Sequence, residues 1–253
     1  MLNLQNVCKT FAPGTVNEKR ALQHIDLELE AGDFAAIVGS NGAGKSTLFG
    51  AIAGGFWPDE GSVRLDGQDI TRLRPKELAK FRRENLGFIF QDFNLLDTLT
   101  IGENIALALA IRRTAPQAID PQVQAMANTL NIGDILDKYP YQVSGGQKQR
   151  CACARAIINH PKLVLADEPT GALDSHSAQM LLATLEDMHR QLGATILMVT
   201  HDAFSASYAQ RILFLRDGAI FSELRRGTDS RKGFFDKILQ VLTMMGGGTT
   251  DVR

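Results

Sequence analysis

The sequence predicts an α/β fold with a mainly parallel sheet, and three observations lead to this prediction. The loop GSNGAGKST at 39–47 follows the apolar run 34–38 and precedes the small, apolar segment 47–53, as in a strand–loop–helix unit. Beyond residue 160, strand-like and helix-like segments alternate, which implies right-handed crossovers between parallel strands. The first 67 residues contain alternating polar and apolar residues with short turns, which predict an antiparallel β region.

The elements follow from hydrophobic period and from turn residues. Segments with strand character are expected at 2–11, 25–29, 34–38, 62–65, 86–90, 163–166, 195–199, 211–215 and 219–224. The Asp66-Gly67 and Asp217-Gly218 pairs predict hairpin turns. Helices are expected at 47–53, 75–83, 144–158, 175–192 and 233–245, and a helical pattern from 100 to 136 is interrupted by a loop with two prolines at 114–121. A frayed tail is expected over 246–253.

Composition limits the classes of function. With 44% hydrophobic and 22% charged residues, the 253-residue chain is typical of soluble globular proteins. The formal net charge of -1 gives no electrostatic indication of a nucleic-acid partner. Three cysteines form no disulfide framework and suit a reducing cytosol; Cys151 and Cys153 are expected to be small, buried helix residues rather than metal ligands.

Neither a signal peptide nor a membrane span is predicted. The first ten residues alternate polar and apolar side chains instead of forming an apolar leader segment. The apolar run 105–111 is far shorter than the roughly 20 residues that cross a bilayer. The chain is therefore expected not to cross a membrane by itself.

The loop at 39–47 matches G-x-x-x-x-G-K-[ST], the phosphate-binding P-loop. Glycines at 39, 42 and 44 permit a tight turn whose N–H groups point inward and form an anion site at the helix N-terminus. Lys45 would add a positive charge at the β- and γ-phosphates, and the Ser46 hydroxyl would ligate Mg²⁺. A glycine-rich turn with an unrelated lysine is the structural alternative.

The ends of two further predicted strands carry candidate functional residues. Asp167 and Glu168 end the apolar strand 163–166; Asp167 would hold Mg²⁺, and Glu168, expected on the opposite side of the strand, would polarise the attacking water. His201 follows another strand, where it would contact the γ-phosphate or that water. Two surface acids and an exposed histidine are the structural alternatives.

The segment VSGGQKQR at 143–150 predicts a second anion site. Ser144 and the glycines at 145 and 146 would place free N–H groups at a helix N-terminus. Because one nucleotide already has a P-loop around it, a second anion site suggests contact with the nucleotide of another copy. The prediction is a head-to-tail dimer; an ordinary N-cap is the alternative.

Taken together, these motifs resemble the ATP-binding cassette (ABC) ATPases. The set GSNGAGKST, Gln91, VSGGQKQR, LVLADE, GALD at 171–174 and His201 occurs in the order of that family, with Val143 in place of its usual leucine. The resemblance implies a P-loop NTPase cassette with a mainly parallel sheet core, an N-terminal antiparallel β region and an inserted helical subdomain. It also implies that two copies enclose two Mg-ATP.

The resemblance assigns roles to individual residues. It implies that Phe11 stacks on adenine, that Gln91 senses Mg²⁺ and contacts the membrane part of a transporter, and that Asp174 communicates across the dimer. The implied catalytic residues are Glu168, His201 and Lys45, and the implied metal ligands are Ser46, Gln91 and Asp167. The implied nucleotide contacts are Phe11, Gly39, Ser40, Asn41, Gly42, Ala43, Gly44, Lys45, Ser46, Thr47, Gln91, Ser144, Gly145, Gly146, Gln147 and Asp174.

The resemblance also implies a domain plan and partners. One ABC ATPase domain is expected over 1–245, with a core at 1–91 and 161–228, a helical signature subdomain at 92–160 and a C-terminal helix at 229–245. The implied cofactors are ATP and Mg²⁺. The implied partners are a second copy and an integral membrane permease at the cytoplasmic face of the cell membrane, with no nucleic acid.

Parts of the chain resemble different branches of the family. The segments 88–100 and 166–174, with the tail after Arg225, are similar to exporters of the bacitracin type and to macrolide-export and lipoprotein-release ATPases. The segment 17–21 and the wording NGAGKST are more similar to uptake cassettes for small organic substrates, so uptake remains the alternative. A non-transport ABC ATPase is a remote alternative, because such proteins usually have a long coiled-coil insert or two cassettes and this chain has neither. A non-catalytic cassette is disfavoured because Lys45, Asp167, Glu168 and His201 are all present.

Overall fold

The computed structural model describes residues 1–246, which form two compact units. Of the described residues, the first unit comprises Met1–Leu73 and 197–246, and the second comprises Arg74–Ile196. Within the described range, no helix is both long enough and apolar enough to pass through a membrane. The domain boundaries expected from the sequence stay a prediction.

The strands and helices of the described chain have the following bounds. The strands are β1 (Leu2–Phe11), β2 (Lys19–Leu29), β3 (Phe34–Val38), β4 (Glu60–Leu65), β5 (Gln68–Asp69), β6 (Leu86–Phe90), β7 (Leu163–Asp167), β8 (Ile196–Thr200), β9 (Arg211–Arg216) and β10 (Ala219–Arg225). The helices are α1 (Lys45–Ile52), α2 (Pro75–Asn85), α3 (Ile101–Ile111), α4 (Ile119–Thr129), α5 (Gly145–Ile157), α6 (Ser175–Leu192), α7 (Ala203–Ala206) and α8 (Arg231–Gly246).

The first unit contains an antiparallel sheet of order β2-β1-β4-β5. Strand β1 pairs with β2 and β4, and Leu2 lies opposite Leu29 on one side and Leu65 on the other. The alternation in β1 places Leu2, Leu4 and Val7 in the core. The predicted N-terminal antiparallel region is confirmed.

A second set of strands in the first unit has the order β10-β9-β3-β8, in which β8 belongs to this unit except for Ile196. Strand β3 runs parallel to β9, with Ala35 opposite Arg211, and β9 returns through a hairpin into β10. Every residue of β3 is buried, as its continuous apolar run predicts. The strand that leads into the P-loop is therefore a central one.

The second unit combines a parallel strand pair with five helices, α2 to α6. Strands β6 and β7 run parallel in a register from Leu86 opposite Leu163 to Phe90 opposite Asp167. Helix α5 packs against α3, α6 and β6. Its Cys151 and Cys153 have no exposed surface, and burial raises the pKa of each thiol to about 12. Both are buried helix residues, as the sequence predicts.

Several boundaries differ from those expected, among them those of β2, which begins at Lys19 instead of 25, and of three helices. Helix α4 begins at Ile119, so Pro121 lies in its first turn rather than in a loop; this is allowed because the first N–H groups of a helix have no intrahelical acceptor. Helix α1 begins at Lys45 instead of Thr47. Helix α8 extends to Gly246, and the remainder of the tail expected over 246–253 lies outside the described residues.

Candidate functional site

The P-loop, residues 39–44, connects β3 to α1 in the first unit. Gly42 and Gly44 have left-handed backbones with φ of 83° and 106°, and Gly44 is the N-cap of α1. A Cβ at Gly44 would collide with the carbonyl oxygen of Ala21, and one at Gly39 would collide with that of Leu215. Both glycines are needed because the neighbouring backbone leaves no room for a side chain.

Lys45 is only 7% exposed, and its ammonium group folds back over the loop. Its Nζ donates hydrogen bonds to the carbonyl oxygens of Gly39, at 2.8 Å, and Ser40, at 3.1 Å. The cation is therefore held within the curve of the loop, where an anionic ligand would be bound. Burial in this position strengthens the attraction of the ammonium group for phosphate oxygens relative to that of an exposed lysine.

The start of α1 is suited to an anion. Its N-cap glycine supplies no side-chain acceptor, and its first turn contains no acidic residue. The N–H groups of the first turn therefore meet neither a competing cap nor a repelling carboxylate. Ser46 is exposed and Thr47 is partly exposed in this turn. The loop is also supported by a hydrogen bond from the Gly218 amide to the carbonyl oxygen of Ala43, at 2.9 Å.

Two other candidates belong to the first unit. His201 follows β8, the strand beside β3, and is exposed at its end. Phe11 ends β1 and is 42% exposed. Its ring and that of Phe56 meet edge to face, with centroids 5.9 Å apart. Ser40, Asn41 and Gly42 are also exposed on the loop.

The structure brings three candidates together in the second unit. Because Phe90 lies opposite Asp167 in parallel strands, Gln91 and Glu168 follow neighbouring strand ends at the same edge. A Cβ at Gly171 would lie 2.8 Å from the side-chain Cδ of Gln91, so this turn packs directly against the glutamine. Amide and carboxylate oxygens are thereby gathered where a hard cation and a water could bind.

Glu168 lies outside β7, which corrects the expectation that strand alternation orients its side chain. The strand ends at Asp167, and Glu168 has a left-handed backbone with φ of 44°. Its carbonyl oxygen accepts a hydrogen bond from the Gly171 amide at 3.0 Å, closing a tight turn. A left-handed glutamate is uncommon, and such conformations are concentrated at functional sites.

The signature segment forms a capping box at the start of α5. Ser144 is the N-cap; its Oγ accepts from the Gln147 amide at 3.3 Å, and the Gln147 side chain accepts from the Ser144 amide at 2.9 Å. Gly145 is exposed and Gly146 is partly exposed in the first turn. The helix end predicted from the sequence is thus present, with the side chains satisfying one another.

Asp174 is the N-cap of α6. Its carboxylate accepts from the amides of His176 and Ser177, each at 3.0 Å, and from the Ser177 hydroxyl at 2.7 Å. These bonds, led by the Ser177 amide, hold the pKa of Asp174 below its usual value. In the described structure this carboxylate orders its own helix start.

Gln149 is a functional candidate that the sequence reasoning did not single out. It is fully buried on α5, and its Nε2 donates to the carbonyl oxygen of Pro169 at 3.2 Å. Because Pro169 follows Glu168, this bond ties the signature helix to the turn that carries the glutamate. A glutamine facing the core side of a helix was the signal that could have revealed it.

Comparison with known proteins identifies the family. The sequence profile of the ABC transporter family matches residues 22–171. The chain is 45% identical over 252 residues to the bacitracin export ATP-binding protein BceA of Halalkalibacterium halodurans, and the match covers 99% of each chain. It is 41% identical over 223 residues to the macrolide export ATP-binding/permease protein MacB of Brucella abortus, covering 88% of this chain and 34% of that protein.

A solved structure agrees with this assignment. The ATP-binding cassette MJ0796, described as a dimer in a post-hydrolysis state with ADP and phosphate, superposes with a TM-score of 0.79 at 36% identity. The match covers 89% of this chain and 98% of that cassette. The P-loop, the turn at 168–171 (the carboxylate turn) and the capped helix α5 (the signature helix) are accordingly parts of an ATPase. The chain belongs to the ABC transporter family and is an ATP-binding, ATP-hydrolysing subunit of an ABC transporter.

Proposed function

We propose that this chain powers an exporter of the antimicrobial-peptide type from the cytoplasmic face of the cell membrane, through a separate permease. The full-length similarity to a bacitracin export ATP-binding protein supports this proposal. The macrolide-export relative carries ATP-binding and permease parts in one protein, of which this chain matches about a third. Uptake of a small organic substrate is the alternative, and a separate substrate-binding protein beside the permease would favour it.

In the proposed mechanism, Lys45 and the P-loop amides bind the β- and γ-phosphates of ATP. Ser46, Gln91 and Asp167 offer the hydroxyl, amide and carboxylate oxygens that suit Mg²⁺, which when bound would neutralise phosphate charge. Glu168 accepts a proton from the water that attacks the γ-phosphate, and His201 donates a hydrogen bond to that phosphate. Phe11 stacks on the adenine.

We further propose that a second copy completes each site through Ser144, Gly145 and Gly146. The dimeric cassette to which this chain is similar supports such an arrangement. ATP binding would close the dimer, and hydrolysis with product release would open it. Asp174 would act near that interface through the start of α6.

The parallel register that sets Gln91 beside the carboxylate turn carries the catalytic proposal most directly. Changing Glu168→Gln removes the base but keeps the size of the side chain. We expect ATP binding to persist while hydrolysis falls at least about 100-fold. A phosphate release assay would measure the rate of hydrolysis. Light scattering after gel filtration would detect a dimer trapped with ATP.

The matched control for this variant is Glu84→Gln in the same unit. Glu84 is also partly exposed, and it forms an ion pair with Arg83 at 3.6 Å. This control should hydrolyse ATP at the parent rate, because exposed ion pairs contribute little and Glu84 has no assigned role. Parent-rate hydrolysis by Glu168→Gln itself would refute the assignment of the base.

A groove of about 430 Å³ in the second unit is the proposed permease contact. The rings of Phe88 and Phe90 stack 5.7 Å apart along it, and Ile111, the last residue of α3, is 53% exposed beside it. Arg82 and Arg83 also line the groove. An apolar centre with a cationic edge suits a permease segment that carries apolar and acidic side chains.

The same groove is linked to the segment that follows Gln91. Arg155 lines it and donates to the carbonyl oxygen of Phe93 at 2.8 Å and to that of Asn94. Phe93 and Asn94 both have left-handed backbones, so this segment is a sharply bent one. A permease segment in the groove would therefore contact residues adjacent to the proposed Mg²⁺ ligand Gln91.

Changing Ile111→Lys tests the groove, with Leu192→Lys as its match. Leu192 is also the last residue of a helix, α6, and is also 53% exposed. A lysine is tolerated at a helix C-terminus, so neither variant should unfold. Affinity purification from detergent-solubilised membranes should recover a polytopic membrane subunit with the parent and Leu192→Lys but not with Ile111→Lys. Equal recovery by both variants would exclude this surface.

A further inference from the structure

The ring of Phe56 connects the P-loop helix to the ring of Phe11. A Cβ at Gly50, in the body of α1, would lie 2.7 Å from Cε1 of Phe56. The absence of a side chain at Gly50 is therefore what lets the Phe56 ring lie against the helix. The other side of the contact is the edge-to-face pair with Phe11, with planes 72° apart. Three residues thus form a continuous packed path within the first unit.

The segment that carries Phe56 is also hydrogen-bonded to the end of β1. The Asp59 amide donates to the carbonyl oxygen of Cys8 at 2.9 Å, and the Asp59 carboxylate accepts from the Thr10 amide at 2.6 Å. These bonds fix the backbone immediately before Phe11. The position of the Phe11 ring is consequently set by the chain that follows α1.

Lys9 reinforces the same contact from beneath the rings. Its Nζ lies 5.7 Å from the centroid of Phe11 and 5.6 Å from that of Phe56. The ammonium group is held there by the Asp59 carboxylate, at 2.7 Å, and by the carbonyl oxygen of Trp57, at 3.0 Å. Its side chain is only 16% exposed, so the cation is part of a packed cluster. We name Lys9, Phe11, Gly50, Phe56 and Asp59 the ring cluster.

We propose that Phe56 is a positioning residue for the nucleotide base: packed on Gly50, it holds the Phe11 ring at a fixed place relative to Lys45. This rests on the proposed stacking of Phe11 on adenine. Helix α1 begins with Lys45 and contains Gly50, so the ammonium group and the ring cluster share one rigid element. A ring fixed before binding loses less conformational entropy when a base stacks on it.

Under this proposal, Phe56 affects the binding of the nucleotide base but not the binding of the phosphates. Loss of the Phe56 contact should weaken binding of a ligand that has a base and leave binding of the phosphates unchanged. ADP and inorganic pyrophosphate are suitable probes, because neither is hydrolysed at the site. A role of Phe56 in the fold alone would change the affinity for both ligands to the same extent.

Two variants test the contact from its two sides. Phe56→Leu removes the ring. Gly50→Ala removes no atom but forces the Phe56 ring to move, and alanine favours a helix more than glycine does, so α1 itself is not weakened. Each should bind ADP roughly three- to tenfold less tightly with unchanged pyrophosphate affinity in titration calorimetry.

Phe221→Leu is the matched control. Phe221 is another phenylalanine that is 42% exposed and lies beside a cation, with the Arg216 guanidinium 4.0 Å from its centroid. It should bind both ligands as the parent does. Phe11→Ala is the reference for loss of the base contact, with an expected loss of about tenfold for ADP alone.

The outcomes distinguish the inference from the function on which it rests. Equal loss of ADP and pyrophosphate affinity in Phe56→Leu, or no loss at all, would overturn the inference. If Phe11→Ala alone lost ADP affinity, adenine stacking would stand and only the positioning role would fail. If Phe11→Ala bound ADP normally, adenine stacking and the inference would both fail. The hydrolytic roles are tested separately by Glu168→Gln.

Discussion

The first turns of α1 and α5 both follow the pattern of an anion site, but they differ in how their N–H groups are satisfied. Helix α1 starts from a left-handed glycine without a side-chain cap, and Lys45 folds over the loop beside it. Helix α5 starts from Ser144, which exchanges hydrogen bonds with Gln147. One helix start is uncapped and begins with a buried lysine; the other is capped by its own side chains, and its first three residues, 145–147, carry no charge.

The two helix starts are therefore suited to unequal parts in the proposed nucleotide binding. The P-loop offers a ligand both backbone donors and a full positive charge, so it is suited to bind nucleotide by itself. The Ser144 oxygen accepts from the Gln147 amide, but the hydroxyl hydrogen can still donate, and so can the amides of Gly145 and Gly146. In the proposed dimer, such a neutral set would add modest hydrogen bonds to an anion that the P-loop of the other copy already binds.

The charge difference predicts the largest effect. Lys45→Met removes the only cation of the motif GSNGAGKST at 39–47, together with its two bonds to loop carbonyl oxygens. We expect ATP hydrolysis to fall at least about 100-fold, measured as phosphate release. Lys80→Met, at an exposed position on α2, should retain the parent rate. A Lys45→Met variant with normal turnover would mean that α1, like α5, needs no cation.

A smaller effect is expected at the capped helix. Ser144→Asp keeps a good N-cap but places a carboxylate where the other copy's phosphate would bind. The free energy of unfolding should change by less than about 0.5 kcal/mol, whereas Ser144→Ala should lose about 1 kcal/mol, both measured by urea denaturation. In the Glu168→Gln background, Ser144→Asp should weaken ATP-dependent dimerisation at least about tenfold while ATP binding by the monomer persists.

Thr100→Asp provides the control for this charge. Thr100 caps α3 in the same way, through a capping box with Glu103 in the same unit. An aspartate there should leave dimerisation unchanged. Undiminished dimerisation by Ser144→Asp would show that the start of α5 is only a structural cap.

The elements that sequence predicted well are those with one dominant signal. Strand β6 spans the predicted 86–90, and α6 spans the predicted 175–192, because apolar period, Gly193 and the Asp174 cap agree. The prediction of a loop at Pro121 is wrong, because a proline breaks the interior of a helix but is accepted in its first turn.

The sequence predicts those parts of the site that a local motif indicates. Sequence placed Asp167 at the end of its strand and Ser144 at a helix cap, and both are there. The backbone of Glu168 and the contact of Gln149 with Pro169 depend on tertiary packing that no local pattern encodes. The path from Gly50 through Phe56 is of the same kind, since nothing in the spacing of these residues indicates that a ring fills the gap.

The pairing of β3 with β9 has a consequence for the order of events during synthesis. The strand that leads into the P-loop is synthesised well before its parallel neighbour, which starts at Arg211, and before Gly218, whose amide donates to Ala43. A nascent chain that has passed the P-loop therefore still lacks the strand and the turn that support it. Such long-range pairing slows folding, because a long loop must close before the contact is gained. The structure that supports triphosphate binding is therefore complete only after Gly218 has been translated, long after the P-loop motif itself has left the ribosome.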